Sequence, residues 1–422
     1  MFKKIVLDNG LRIILVPEKR NRTVTVLTLV KTGSKYETKE INGISHLLEH
    51  LFFKGTKKKP RPIDLVEPLD RIGGVYNAFT SEEYTGYFAK VSAQHFDLAL
   101  DFVSDIYLNS KLDMEDIEKE KGVIIEEINM YYDHPSSYVQ TLWRRLLYGD
   151  QPAGWDVAGT KESVARISRL QLLDYMRSQY VAENTILCFA GNIPKEKEIV
   201  LKVKNYFKKI REKQAKNKKP VVEKQEKPEV LVHKKETDQT HFCLGVRGYD
   251  LFDKRKYVQE ILALILGGMM SSRLFVRIRE ELSLAYYIHT YSFSETDTGY
   301  LFTQTGVDNR KADKAVSEIL KEYKKISSRL VPLKELKKAK ENFMGKMEIV
   351  LESSDAQASF YANQELLKNE ILIPKEIYAK INKITRRDVM RVAQDLFKPQ
   401  KLNLALIGPF EDKKNFQRIL RI

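Results

Sequence analysis

The chain has 422 residues, enough for two or three domains of ordinary size. Its 43% hydrophobic and 10% aromatic content belongs to a core-forming protein and excludes a disordered one. The formal net charge of +15 invites a nucleic-acid reading, but its distribution argues against one. Between Lys195 and Pro228 thirteen Lys/Arg face five Glu, so more than half of the excess lies in one stretch with few aromatic residues for base stacking. The two cysteines, Cys188 and Cys243, sit in apolar, strand-like runs. That excludes a disulfide framework and a cysteine-based zinc site and suits a reducing compartment. The first apolar run stops after Leu7, too short for a secretory signal, and no run of about 18 apolar residues follows. The expectation is a cytoplasmic protein with no membrane span and no nucleic-acid partner.

In chain order, Lys3 to Leu7 and Leu11 to Val16 predict a hairpin around Asp8-Asn9-Gly10, because Asn-Gly tolerates the positive φ of a tight turn. Arg22 to Val30 is a Thr/Val-rich strand leading to Gly33. Residues 44–53 read ISHLLEHLFF and predict a helix, entered through Asn42-Gly43 and stopped by Gly55. At about 100° per residue, His50 falls about 40° from His46, one turn on, with Glu49 adjacent to both. Leu47, Leu48 and Leu51 take the other faces, which predicts a helix buried nearly all round. Two imidazoles at i, i+4 can hold one metal ion, and a carboxylate beside them can handle a proton. The order, His-x-x-Glu-His, reverses the commoner His-Glu-x-x-His. The competing reading is a pair of satisfied core histidines.

A helix at Ile63 to Ile72, ending at Gly73-Gly74, and two strands within Val75 to Val91 follow. Ser92 to Leu108 and Met114 to Tyr132 are helical, the second bounded by Asp133-His134-Pro135. Ser137 to Leu147 and Leu170 to Gln179 are further helices, and Thr185 to Ala190 is a buried strand.

The pattern then repeats. ISRLQLLDYMRSQYVAENTILCFAG, from Ile167 to Gly191, matches ITRRDVMRVAQDLFKPQKLNLALIG, from Ile384 to Gly408, at a constant offset of 217. TVLTLVKTG ending at Gly33 likewise resembles THFCLGVRG ending at Gly248. The expected fold class is α+β, with two homologous domains, each a mostly antiparallel sheet packed with helices. Their boundaries are 1–212 and 229–422, with a basic linker at 213–228. The repeat supplies an internal control. The segment matching the motif helix, about Gln259 to Gly268, has no histidine, so the helix can be built without one and the core-histidine reading weakens.

An enzymatic zinc site needs a third protein ligand. On the Met114–Tyr132 helix, Glu120 and Glu127 are two turns apart and share a face to within about 20°, while Glu126 is displaced toward water. One of the two can ligate metal and the other orient a ligand or the water. Ile124, Ile125 and Ile128 predict that this helix is largely buried.

With these words in place, GISHLLEHLFFKGT, GGVYNAFTSEEYTGY, EKEKGVIIEEINMYYDHP and Gly159-Thr160, the chain resembles the pitrilysin-type inverzincin peptidases over nearly its whole length. The resemblance implies one Zn2+ per chain held by His46, His50 and Glu127, with Glu49 as general base and Glu120 supporting the site. It implies that Arg279 and Tyr286 in the second domain bind the substrate backbone and the developing oxyanion, and that Asn77 and Ala78 lie on an edge strand that accepts an extended peptide. The half-length members of such families form half of a clamshell-like chamber. The implied activity is therefore zinc-dependent endopeptidase cleavage of short unfolded peptides inside a dimer, either a homodimer or a heterodimer with a homologous subunit. The alternatives are a non-catalytic partner or scaffold subunit and, less favoured, a basic nucleic-acid binder.

Overall fold

The computed structural model describes residues 2–421. Six strands, β1 Lys3–Val6, β2 Arg12–Pro17, β3 Thr23–Val30, β4 Val75–Thr80, β5 Thr85–Ser92 and β6 Thr185–Gly191, form one sheet in the order β1-β2-β6-β3-β5-β4. Only the β2–β6 pair is parallel. Five more, β7 Glu229–Lys234, β8 Gln239–Arg247, β9 Ala285–Ser294, β10 Gly299–Asp308 and β11 Asn403–Gly408, form a second sheet ordered β7-β11-β8-β10-β9. Again one pair, β7–β11, is parallel. The second sheet is the first without its β1 edge. The expected fold class, two copies of a mostly antiparallel α+β unit, is what the chain adopts.

The helices of the first half are α1 Ile44–Leu51, α2 Pro62–Asp70, α3 Phe96–Asn109, α4 Met114–Asp133, α5 Pro135–Tyr148, α6 Lys161–Arg166, α7 Arg169–Gln179 and α8 Glu196–Tyr206. Those of the second are α9 Lys256–Gly267, α10 Ala312–Ser328, α11 Leu333–Val350, α12 Ser354–Lys368, α13 Pro374–Lys383, α14 Arg386–Leu396 and α15 Lys414–Ile419. Between α9 and β9, Phe275–Glu281 winds as a π-helical turn. No helix among the described residues is long and apolar enough to cross a membrane.

The 217-residue offset holds at the level of single hydrogen bonds. α7 starts on a capping box in which Ser168 Oγ accepts from Gln171 N at 3.3 Å and Gln171 Oε1 accepts from Ser168 N at 2.8 Å. α14 starts on the matching pair, Thr385 Oγ1 accepting from Asp388 N at 3.2 Å and Asp388 Oδ2 from Thr385 N at 2.8 Å. Each box satisfies two of the backbone donors that a helix start leaves unpaired.

The chain packs as two compact units that do not follow the order of the repeat. The first runs to Asn129 and adds Asp156–Lys219 and Glu348–Ile371; the second takes Met130–Trp155, Pro220–Met347 and the chain from Leu372 on. The expected boundaries 1–212 and 229–422 were drawn from the repeat along the sequence, and the packing units divide the chain differently. α12 lies on β2, β3 and β6 of the first unit, where Ser354 Oγ shares a hydrogen bond with Thr25 Oγ1 at 2.8 Å and Lys4 Nζ meets the buried Glu365 carboxylate at 2.6 Å. α5 lies on β7, β8 and β11 of the second, where Trp143, 1% exposed, packs against Phe302 with ring centres 5.4 Å apart. Each unit is thus completed by a helix from the other half of the sequence. The residues between α8 and β7 that form the basic stretch contain no helix or strand beyond one isolated bridge at Arg211.

In the first unit, β3 is buried along all but its first residue, as its run of Thr, Val and Leu requires of a strand covered on both faces. α3 packs on β3 and β5, and α1 packs against β4, the free edge. That position brings the motif helix beside a strand that pairs with β5 on one side and is the last of its sheet on the other.

Candidate metal centre

The motif helix is fixed first at its N-terminus. Gly43, at φ +96°, is the residue before α1, and a Cβ there would meet Ala158 O at 2.7 Å. Gly159, at φ +80°, faces it, and a Cβ there would lie 2.4 Å from Asn42 O. Only glycine suits both places. The Glu37 carboxylate, 4% exposed, then closes the helix start: Oε2 accepts from Gly43 N at 2.8 Å and Asn42 Nδ2 at 2.9 Å, and Oε1 from Ser45 N at 2.9 Å. A carboxylate here satisfies orphan donors and lies at the positive end of the helix dipole. Ser45 Oγ continues to Tyr175 OH at 2.9 Å and from there to Thr32 Oγ1 at 2.7 Å.

Along α1, Ile44, Leu47 and Leu48 are fully buried and Leu51 is 1% exposed; burying each leucine is worth roughly 1.5–3 kcal/mol. His46, Glu49 and His50 are only half-buried, so the helix is not buried nearly all round. It keeps one accessible polar stripe, the one that carries the chemistry. α4 likewise departs from expectation. Only Ile117, Glu120, Lys121 and Ile124 are buried, while Val123, Glu126 and Met130 are exposed. One face of α4 meets the core, and that face carries the two acids.

The two helices bring their polar groups together. His46 Nε2 lies 3.7 Å and His50 Nε2 3.6 Å from the same oxygen, Glu127 Oε2, and a ligand atom from each of the three residues falls within 4.8 Å of the others. The imidazoles are edge to face, with centres 4.7 Å apart. A tetrahedral zinc with bonds near 2.0–2.1 Å sets its ligand atoms roughly 3.3 Å apart. The carboxylate-to-imidazole distances are within a few tenths of that edge, so the donor set fits the ion. The imidazoles differ in support. His50 Nδ1 lies 3.1 Å from Glu120 Oε2, whose other oxygen accepts from Lys54 Nζ at 2.7 Å. His46 Nδ1 is buried and has no hydrogen-bond partner among the described residues.

Electrostatics follow from the same contacts. Burial alone would lower the His50 pKa, but the carboxylates of Glu120, Glu127 and Glu49 outweigh it and push it up to about 9. Burial and then the neighbouring His50 lower that of His46. The hydrogen bond to His50 holds Glu127 below the ordinary carboxylate range. Burial raises Glu49, which Thr80 at the end of β4 counters: its Oγ1 donates to Glu49 Oε2 at 2.5 Å. Three carboxylates around two imidazoles, with Lys54 paired to one of them, favour a divalent cation.

Of the other sequence candidates, Asn77 and Ala78 lie on the edge strand β4, Asn77 exposed and Ala78 buried, with Ala78 N donating to Asn77 Oδ1 at 2.9 Å. Arg279 and Tyr286 belong to the second unit. There the Arg279 guanidinium lies 5.2 Å from the centre of the Tyr286 ring, and Tyr286 is 79% exposed. Sequence reasoning missed Glu37, Lys54 and Thr80. Lys54, one turn after His50, carried a spacing signal; Glu37 and Thr80 act across loops and carried none.

A duplicated α+β fold whose first copy sets a His-x-x-Glu-His helix against a glutamate from a second helix defines the class of inverted-motif zinc peptidases, and comparison with known proteins gives the same class. Residues 12–161 match the family Insulinase (Peptidase family M16), and residues 166–343 match Peptidase M16 inactive domain. The chain belongs to peptidase family M16. It is 37% identical to the uncharacterised zinc protease YmxG of Bacillus subtilis, over 97% of this chain and 98% of that one. It is 31% identical to an uncharacterised zinc protease of Rickettsia bellii, over 96% of each. The crystal structure of a protease from Helicobacter pylori shares the fold with a TM-score of 0.90 at 24% identity, over 97% of this chain and 99% of that one.

Proposed function

We propose that the chain is a zinc-dependent endopeptidase that hydrolyses short unfolded peptides, with one zinc per chain held by His46, His50 and Glu127. The observation that carries this reading is the approach of both imidazole Nε2 atoms to one Glu127 oxygen beside the Glu49 carboxylate. Bound zinc supplies a water of lowered pKa and polarises the scissile carbonyl. Glu49 is the general base: its carboxylate takes the proton of the attacking water and delivers it to the leaving amine. Thr80, bonded to one Glu49 oxygen, holds that carboxylate in place and leaves the other oxygen for the proton. Glu120 orients His50 through Nδ1, and Lys54 in turn fixes Glu120. The free edge of β4, which ends on Thr80, offers main-chain hydrogen bonds to an extended peptide, with Asn77 and Ala78 nearest its middle.

Replacing Glu49 by Gln removes the proton acceptor without removing a ligand. The expected outcome is a fall in kcat of roughly 100- to 10,000-fold, with zinc content unchanged by mass spectrometry. Full hydrolysis by the Gln variant would sink the assignment. Unaltered protein that carries zinc yet cleaves no peptide would favour a non-catalytic partner subunit instead.

Stabilisation of the tetrahedral oxyanion is assigned to Arg279 and Tyr286 acting in a dimer on the centre of the other subunit. Their side-by-side placement and the exposure of Tyr286 support this. Mixing Glu49→Gln with Tyr286→Phe subunits then restores part of the activity that each lacks alone. No recovery in heterodimers verified by mass would count against a shared site.

A further inference from the structure

The second copy has its own cleft where the first has the candidate metal centre. It lies at the end of α9, between β9 and α11, with a volume of about 560 Å³, inside the second unit. These elements occupy the places in the repeat that α1, β4 and α4 occupy in the first copy, but the charge is reversed. Where α4 presents Glu120 and Glu127, α11 lines its cleft with Lys338, Asn342 and Lys346, a stripe at i, i+4 and i+8. No carboxylate lines it among the described residues.

Among the described residues the cations there have only neutral partners. Lys346 Nζ donates to Gly268 O at 3.2 Å, and Lys338 Nζ donates to Ser271 O at 2.7 Å and Ser271 Oγ at 3.0 Å. Asn342 Oδ1 is buried and accepts no hydrogen bond among the described residues. Met269, Phe275 and Ile288 supply an apolar wall. Burial, reinforced by Lys346, holds His289 below the usual histidine pKa, so it adds no charge of its own at neutral pH. If the lysines served only to tie down the chain that follows α9, their hydrogen bonds would be explained. The concavity, the absence of a counter-charge and the orphan amide oxygen would not. An ammonium has three donors, and Lys346 uses one of them here.

We propose that this cleft binds the carboxyl terminus of a peptide, the α-carboxylate on Lys338 and Lys346, the last main-chain N–H on Asn342 Oδ1, and an apolar terminal side chain on Met269, Phe275 and Ile288. A carboxylate complements two ammonium groups whose partners here are neutral oxygens, and the acceptor beside them selects a main chain over a free inorganic anion. The inference rests on the peptidase reading for the origin of the ligand, as a short substrate or a cleavage product, but the binding itself requires no hydrolysis.

The test uses the zinc-loaded, full-length Glu49→Gln protein and three fluorescein-labelled peptides, followed by anisotropy. One ends in a free leucine carboxylate, one is its C-terminal amide, and one is an amide carrying an internal Glu. The free acid is expected to bind about fivefold tighter than the amide, as for ion pairs at a partly exposed site, and to lose that margin as salt rises. In a Lys338→Gln/Lys346→Gln protein with unchanged zinc content and circular dichroism, acid and amide bind alike. Equal binding of acid and amide to the protein with both lysines present overturns the proposal, and so does a preference that survives the double substitution. If the internal-Glu amide binds as tightly as the free acid, the assignment to a chain terminus falls. Should the double variant fail to fold, the acid–amide comparison in the protein retaining both lysines still decides. A carboxylate preference here, together with no hydrolysis by the zinc-loaded protein that keeps Glu49, would refute the peptidase reading and leave the cleft standing.

Discussion

Helices α1 and α9 hold the same place in two copies of one fold, and they show which residues the fold requires. α9 buries Val258, Ile261, Leu262, Ile265 and Leu266, and its polar Gln259 is spent internally, with Oε1 accepting from Tyr249 N at 3.0 Å and Nε2 donating to Ser292 Oγ at 2.9 Å. α1 buries Ile44, Leu47, Leu48 and Leu51 in the same role but leaves His46, Glu49 and His50 on an accessible stripe. The apolar half of the pattern is architectural. The polar half is dispensable for folding, since a copy without it folds the same way, and His46 Nδ1 even remains buried with no partner among the described residues. A group kept at such a disadvantage has its use elsewhere. The same contrast extends to α4 and α11, acids beside the candidate metal centre in one copy and lysines lining a cleft in the other.

The comparison breaks most sharply at the histidines. His46→Leu makes α1 resemble α9 at that position. It is expected to abolish stoichiometric zinc and hydrolysis together, while zinc-free protein gains about 1 kcal/mol from losing an unsatisfied buried nitrogen. That gain raises Tm by roughly 2–4 °C. Zinc titration and thermal melts in chelator check both, and a variant that unfolds would return His46 to the core. A smaller effect separates ligand from support. Glu120→Gln keeps the three proposed ligands but weakens the acceptor at His50 Nδ1, and should lower zinc affinity by about 10- to 100-fold. Competition with a chromophoric chelator measures it, and unchanged affinity would leave Glu120 merely a partner of Lys54. The smallest effect tests whether the copies are equivalent where they look so. Ser168→Ala and Thr385→Ala each remove the side-chain acceptor of a capping box and should each cost about 1 kcal/mol in denaturant unfolding, with no change in zinc content. Unequal losses would show that matching hydrogen bonds are embedded in units of different local stability.

Much of this was legible in the sequence because it is local. His46, Glu49 and His50 share one helical turn, the α7 and α14 caps lie three residues from their partners, and the repeat keeps one offset from cap to strand. The face shared by Glu120 and Glu127 follows from helical periodicity alone. The burial of α4 was overestimated because three isoleucines on a helix do not say how wide its covered face is; the exposed Val123 and Met130 do. Thr80 and Glu37 were missed for another reason. Thr80 reaches Glu49 across 31 residues of chain, and Glu37 caps α1 through a loop, so neither leaves a periodic trace.

By itself the sequence determined the duplication, the fold class, the motif helix and the residue types that can meet a zinc ion, since each depends on spacing along a single element. Only the tertiary structure decided that Glu127 Oε2 faces both imidazoles, that Thr80 and Lys54 hold the acids in place, and that α5 and α12 complete the opposite sheets. Those are contacts between elements far apart in the chain. An amphipathic helix records in its sequence that one face must be covered, and leaves to packing the choice of which sheet covers it.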